Sequence, residues 1–157
     1  IGGEIAGELL VGYWGEYAFF QDSTQDFSRF TIGLDYSFPL RLYAMVELYF
    51  DGSGVDDTGQ YDFSLISTGE RQTLAQRYIY CSVSTIPLPF DVFRPSLSSM
   101  VNLDDNGVVL IPQIAVMPFD NTDIAVGSNI VIGSEESEFK NLTPFNGAAY
   151  VWLKVYF

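Results

Sequence analysis

The sequence predicts an all-β chain, a transmembrane antiparallel up-and-down β-barrel with eight strands visible, and three observations predict it. Polar and apolar residues alternate with period two through most of the 157 residues. Glycine and proline gather between the alternating runs, while Tyr, Phe, Val and Ile fill them, as strands prefer. The final run, Tyr150-Val151-Trp152-Leu153-Lys154-Val155-Tyr156-Phe157, ends on an aromatic residue, as the closing strand of an outer-membrane barrel does.

Membrane helices are the competing way to place so much apolar sequence, and they fail on length. A helical span needs about 18 or more apolar residues. The longest uncharged run here, Asn106 to Phe119, has 14 and contains Pro112 and Pro118. Lipid cannot satisfy open backbone groups, so a spanning chain without helices must close into a barrel. The length suits one domain, residues 1–157, or a piece of a larger one.

The eight segments follow in order. Glu4 to Phe19 places Ile5, Leu9, Val11, Tyr13, Tyr17 and Phe19 on one face and Glu4, Glu8, Trp14 and Glu16 on the other. Phe27 to Phe38 sets Phe30, Ile32, Leu34, Tyr36 and Phe38 against Arg29, Thr31, Gly33, Asp35 and Ser37. Leu40 to Asp51 sets Leu40, Leu42, Ala44, Val46, Leu48 and Phe50 against Arg41, Tyr43, Met45, Glu47 and Tyr49. Leu74 to Ile86 turns Ile79, Cys81 and Val83 outward and Tyr78, Tyr80 and Ser82 inward.

In Phe93 to Asp104, Leu97, Ser99, Val101 and Leu103 face outward, and Arg94, Ser96, Ser98, Met100 and Asn102 inward. Val108 to Phe119 turns Leu110, Pro112, Ile114 and Val116 outward; Asp123 to Gly133 does the same with Ile124, Val126, Ile130 and Ile132. The last segment sets Ala149, Val151, Leu153, Val155 and Phe157 against Tyr150, Trp152, Lys154 and Tyr156. Runs of about ten to fourteen residues match tilted membrane strands, whereas soluble strands average about half that.

Connection lengths orient the barrel, because such proteins have short periplasmic turns and longer outer loops. Phe38-Pro39-Leu40, Pro87-Leu88-Pro89 and Pro118 to Thr122 are short; Gln21 to Asp26, Gly52 to Gln72, Asp104 to Gly107 and Ser134 to Phe145 include the longest connections. An even strand count then puts both termini in the periplasm of a bacterial outer membrane. With no initiating Met and no charged-then-apolar leader, any signal peptide is expected to be gone already.

Composition excludes several functions. A net charge of -13 opposes nucleic-acid binding, which needs basic surface. A single cysteine excludes an internal disulfide framework or a Cys-rich metal site, and Cys81 reads as a small apolar residue facing lipid. With no histidine, the usual general base of outer-membrane hydrolases and the commonest haem and zinc ligand are missing. We therefore expect no catalysis, no cofactor and no metal site. The loop Asp51-Gly52-Ser53-Gly54-Val55-Asp56-Asp57 suggests calcium but lacks the later bidentate Glu of a helix–loop–helix site, and a solvated acidic loop explains it as well.

The candidate functional residues are the inward charges Glu8, Glu16, Arg29, Asp35, Arg41, Glu47, Arg94 and Lys154. Rings of charge select permeant ions, and the same residues can equally be structural pairs filling a narrow barrel. Inward Val109, Ile111, Ala115, Met117, Ala125 and Val131 are unexpectedly apolar. A packed core, a plug or partner, or a greasy lining would each account for them. Tyr13, Tyr17, Phe19, Phe30, Tyr36, Phe38, Phe50 and Phe157 suit interfacial aromatic girdles.

Val101 to Gly107 running into Leu110-Ile111-Pro112, then Asp120-Asn121 and Ile124 to Gly133, resembles the C-terminal region of large porin-like outer-membrane proteins of Gram-negative bacteria. Tyr43 to Gly54, Gly69-Glu70-Arg71 and Ser137-Glu138-Phe139 fit that setting, and the resemblance spans roughly residues 27 to 157. It implies passive transport of small solutes or ions, with Tyr150, Trp152, Leu153, Val155 and Phe157 as a C-terminal assembly signal. The implied partners are outer-membrane lipid and lipopolysaccharide, the barrel-assembly machinery, and other barrel subunits or a plug. The alternative expectation is a non-conducting structural or interaction barrel that anchors or completes an outer-membrane complex.

Overall fold

The computed structural model describes residues 1–21, 25–86, 92–119, 121–143 and 145–156. Its strands are β1 (Gly2–Glu8), β2 (Gly12–Phe20), β3 (Phe27–Phe38), β4 (Leu42–Asp51), β5 (Arg77–Thr85), β6 (Phe93–Asn102), β7 (Val108–Phe119), β8 (Thr122–Ile132) and β9 (Gly147–Val155). They form one nine-stranded sheet in sequence order, every neighbouring pair antiparallel. Two short helices, α1 (Ser64–Ser67) and α2 (Glu138–Leu142), interrupt the two longest connections.

The expected count of eight strands is corrected to nine. Glu4 to Phe19 is not one strand but a hairpin whose connection is Leu9-Leu10-Val11, with the Leu9 amide donating to the Val11 carbonyl at 3.1 Å. Alternation could not reveal this break. Ile5 pairs with Gly15 and Gly7 with Tyr13, so odd-numbered residues share one face on both sides of the turn. Leu9 and Leu10 are consequently almost fully exposed tip residues, not part of a buried stripe.

Nine strands also undo two linked expectations. β1 and β9 run in the same direction and do not pair, so the sheet is open, not a closed barrel. The termini lie at opposite ends: the Ile1 ammonium donates to Phe19 O beside the β2–β3 connection, and Tyr156 N donates to Asn121 O beside the β7–β8 turn. Both termini therefore cannot be periplasmic together in a spanning sheet. Of the segments in question, Asp22 to Thr24, Pro87 to Asp91, Asp120, Pro144 and Phe157 fall outside the described residues. The proline turn at Pro87-Leu88-Pro89 and the terminal Phe157 of the assembly signal are among them.

Facing follows the alternation on every strand. Ile32, Leu48, Ile79, Val101, Val108 and Ile132 lie in one cross-strand row, and Leu34, Val46, Cys81, Ser99, Leu110 and Ile130 in the next. This apolar face is uncovered: Ile32, Leu97, Ile114 and Val126 are each about half exposed, and Val151 is 70% exposed. The opposite face carries Trp14, Glu47, Tyr49, Tyr78, Ser98, Asn102 and Tyr150.

The small core sits on that polar face, at the end with the long connections. Leu74, Ala75, Tyr78, Val131 and Phe139 are buried there, with Tyr49, Tyr61, Met100 and Val109 packed around them. Leu74 and Ala75 belong to the β4–β5 connection and not, as the alternation suggested, to a strand beginning at Leu74. Phe139 comes from α2. The chain's two longest connections thus fold down over Val109 and Val131, which explains two of the unexpectedly apolar positions on this face.

Candidate functional site

Apart from Arg41, the predicted charges share the polar face but do not form one ring. On β2–β4, the Trp14 indole lies flat over Gly33 and its Nε1 donates to Glu47 Oε2 at 3.1 Å. Only a glycine permits this, because a Cβ at Gly33 would stand 2.0 Å from the ring. Glu4 sits directly across from Glu16, and Glu8 across from Gly12, over which the Asp35 carboxylate lies. Like charges opposite one another on paired strands repel, so this half of the face is an acidic field.

Cations stand elsewhere. Among the described residues the ion pairs are Arg29–Asp51, Arg77–Asp104, Arg94–Asp123 and Lys140–Glu135. Arg94 and Asp123 (2.9 Å) lie towards the short-turn end, where Tyr156 Oη donates to Asp123 at 3.1 Å and Lys154 Nζ sits 4.7 Å from the Tyr156 ring centre. Arg29 and Asp51 (2.8 Å) lie at the opposite end. Arg41 is a correction: it occupies the β3–β4 turn with φ 63°, and its Nη2 donates to Ile86 O at 2.8 Å. It braces that turn against the end of β5 and does not stand among the inward charges of β4.

Between these groups the face is lined by hydroxyls and amides. Tyr80 Oη donates to Ser98 Oγ at 3.1 Å, Ser82 and Ser98 hydroxyls meet at 3.1 Å, and Tyr150 Oη donates to Gln113 Oε1 at 3.0 Å while covering Gly127. Of the assembly-signal residues, Tyr150 and Trp152 share this face, whereas Leu153 and Val155 take the apolar one.

The most densely bonded site was not predicted. Glu138, wholly buried at the start of α2, accepts from Leu74 N at 2.9 Å, from Asn102 Nδ2 at 2.9 Å and from the Tyr78 hydroxyl. Its own amide donates to Asp105 Oδ2 at 2.7 Å, and Asn102 Nδ2 also reaches Asp105 (3.0 Å) and Tyr61 Oη (3.2 Å). The Glu138 carboxylate therefore ties the β8–β9 connection to the β4–β5 connection, to β5 and to the end of β6, and its backbone amide ties it to the β6–β7 turn. Burial pushes the Glu138 carboxyl above its ordinary range, with Asp105 adding to the rise, against the opposing pull of donors on Tyr78 and Leu74. Burial likewise raises the Tyr61 phenol.

Asn106 completes the clasp. Its φ of 60° is a left-handed turn that Asn tolerates, and it brings Gly107 N to Asp105 Oδ1 at 2.6 Å. The signal available in the sequence was the apolar Leu74-Ala75 and Phe139 set inside otherwise polar connections.

The acidic loop from Asp51 does not gather ligands. Asp51 spends its oxygens on Arg29 and Ser53, while Asp57 accepts from Gly59 N at 3.0 Å. Among the described residues no cluster of three or more metal-ligating side chains assembles. No family model, curated protein or solved structure matches the chain.

Proposed function

We propose that this chain is part of the wall of a porin-like outer-membrane β-barrel that passes small solutes or ions passively. One observation carries the reading: an uncovered, largely apolar face extends across the nine-stranded sheet, while the opposite face is polar and charged. A soluble sheet would bury such a face, since exposed apolar patches beyond a few hundred Å² mark interaction or membrane surfaces. Lipid on one side and water on the other is the environment that suits both faces without a second sheet.

Strand parity refines the reading. Nine antiparallel strands leave β1 and β9 parallel to each other, so an all-antiparallel closure needs a further odd number of strands, from this or another polypeptide. Completed by several further strands the sheet would close a wide barrel, and wide barrels hold an aqueous channel, whereas about eight strands leave room only for side chains. The second reading, a non-conducting barrel that anchors or completes a complex, draws on Trp14, Tyr150 and the folded connections crowding the polar face.

Two measurements test this. A fluorophore on Cys81, which is exposed on the apolar face, should be quenched by lipid-borne quenchers and shielded from iodide. Quenching by iodide alone would refute the membrane assignment. In planar bilayers the full-length protein should give stepwise conductance whose ion selectivity shifts with Glu47→Gln; silent bilayers would leave the non-conducting reading in its place.

A further inference from the structure

Arg71 differs from the four cations that hold ion pairs among the described residues. Arg29, Arg77, Arg94 and Lys140 each meet a carboxylate. Arg71, half-buried in the β4–β5 connection, places its Nη2 on the neutral hydroxyl of Ser53. Its backbone is fixed by Arg71 N donating to Leu65 O at 3.0 Å, so the side chain is presented and not trailing. A partly desolvated guanidinium with five donors and one neutral acceptor has unused capacity for an anion.

Behind it runs a short relay. Ser53 Oγ donates to Asp51 Oδ1 at 2.6 Å, and Asp51 Oδ2 pairs with Arg29 Nη2 at 2.8 Å. Two guanidiniums thus bracket one buried carboxylate, and with Glu70 at the rim the charges lining the cavity balance in a chain of net charge -13. Arg29 Nε is buried without a hydrogen-bond partner. These groups face a cavity of about 520 Å³ that Phe27 and Tyr49 also line, a size ordinary for small-ligand pockets.

We propose that this cavity binds the carboxylate of a small organic acid, with Arg71 as its principal partner. A guanidinium fork matches a planar carboxylate with two parallel hydrogen bonds. The Phe27 and Tyr49 rings offer the organic portion an apolar wall. Glu70 and Asp51 on the same cavity oppose a second negative charge, which favours a monoanion over phosphate. The inference does not depend on the chain crossing a membrane, because the site is built by the protein's own connection folded over β3 and β4.

Benzoate is the probe, titrated into the full-length protein with calorimetry and the side-chain Nε–H resonances of Arg71 and Arg29 as readouts. Saturable binding that moves the Arg71 resonance is expected, and Arg71→Gln should weaken it by about tenfold or more, the value of one charge-assisted contact. Arg71→Lys should fall between, and Glu70→Gln should tighten binding. Should Arg71→Gln misfold, the unsubstituted protein still decides: saturable benzoate binding with an unmoved Arg71 resonance overturns the assignment. So do the absence of saturation, equal affinity for benzyl alcohol, and tighter binding of inorganic phosphate.

Discussion

Gly33→Ala puts the central packing of the polar face to a quantitative test. The new methyl would stand 2.0 Å from Trp14 Cζ2 and 2.1 Å from Cε2, whereas carbon atoms settle at about 3.5–4.0 Å. The indole must therefore shift by about 1.5 Å, which carries Nε1 out of reach of Glu47 Oε2. Overpacking of this kind costs about 1–3 kcal/mol. Losing a partly solvated hydrogen bond to a carboxylate adds about 1 kcal/mol. The reduced freedom of the unfolded chain returns about 0.5 kcal/mol. The net expectation is a loss of about 1.5–3.5 kcal/mol.

Gly3→Ala is the matched control, because nothing lies within 4 Å of its Cβ position. Both are measured by reversible urea unfolding from bilayers, followed by the fluorescence of Trp152, which every variant of the cycle retains. Trp14→Ala combined with Gly33→Ala should recover most of the loss as coupling energy. If Gly33→Ala stays within about 0.5 kcal/mol of Gly3→Ala, the cross-strand packing described here is wrong.

Two further predictions concern the clasp and the apolar face. Because the docked carboxyl of Glu138 sits above its ordinary value of 4.5, docking of residues 134–143 is strongest below that value and weakens as pH rises through the raised one. Hydrogen exchange of that connection should accordingly speed up beyond its intrinsic rate as pH rises above the ordinary carboxyl value, and Glu138→Gln should abolish the extra pH dependence; an unchanged dependence would rule Glu138 out as its source. Val126→Arg, on the apolar face of β8, should cost about 2–4 kcal/mol of stability in bilayers and Asn129→Arg on the polar face clearly less, so equal penalties would sink the membrane assignment.

What the sequence disclosed was what period two encodes. Facing was legible on every strand, including β5, where Ile79, Cys81 and Val83 do share a face with Leu48, Val46 and Ala44. The strand count was not, because a three-residue hairpin of Leu9-Leu10-Val11 preserves parity and contains no turn-forming residue before Gly12. Arg41 was misplaced for a related reason: alternation extends through a turn as readily as along a strand, and only its positive φ separates the two. Glu138 and Arg71 were hidden more deeply. Their partners lie 18 to 64 residues away, across connections whose composition is polar, and no local pattern encodes such contacts.

The strictly sequential strand order has a consequence for how the chain is put together. Every ladder joins consecutive strands, so hairpins such as β1–β2 and β3–β4 close across three residues, while β4–β5 and β8–β9 close across 25 and 14. Closure entropy grows only with the logarithm of loop length, and local pairings form first. Assembly can therefore proceed by adding one hairpin to a growing edge, each addition restoring the same edge direction and the same facing. The sheet is in this sense a modular lattice: removing β1 and β2 together leaves β3 as an edge that still alternates correctly, whereas removing β1 alone would reverse the direction of the strand the next segment must join.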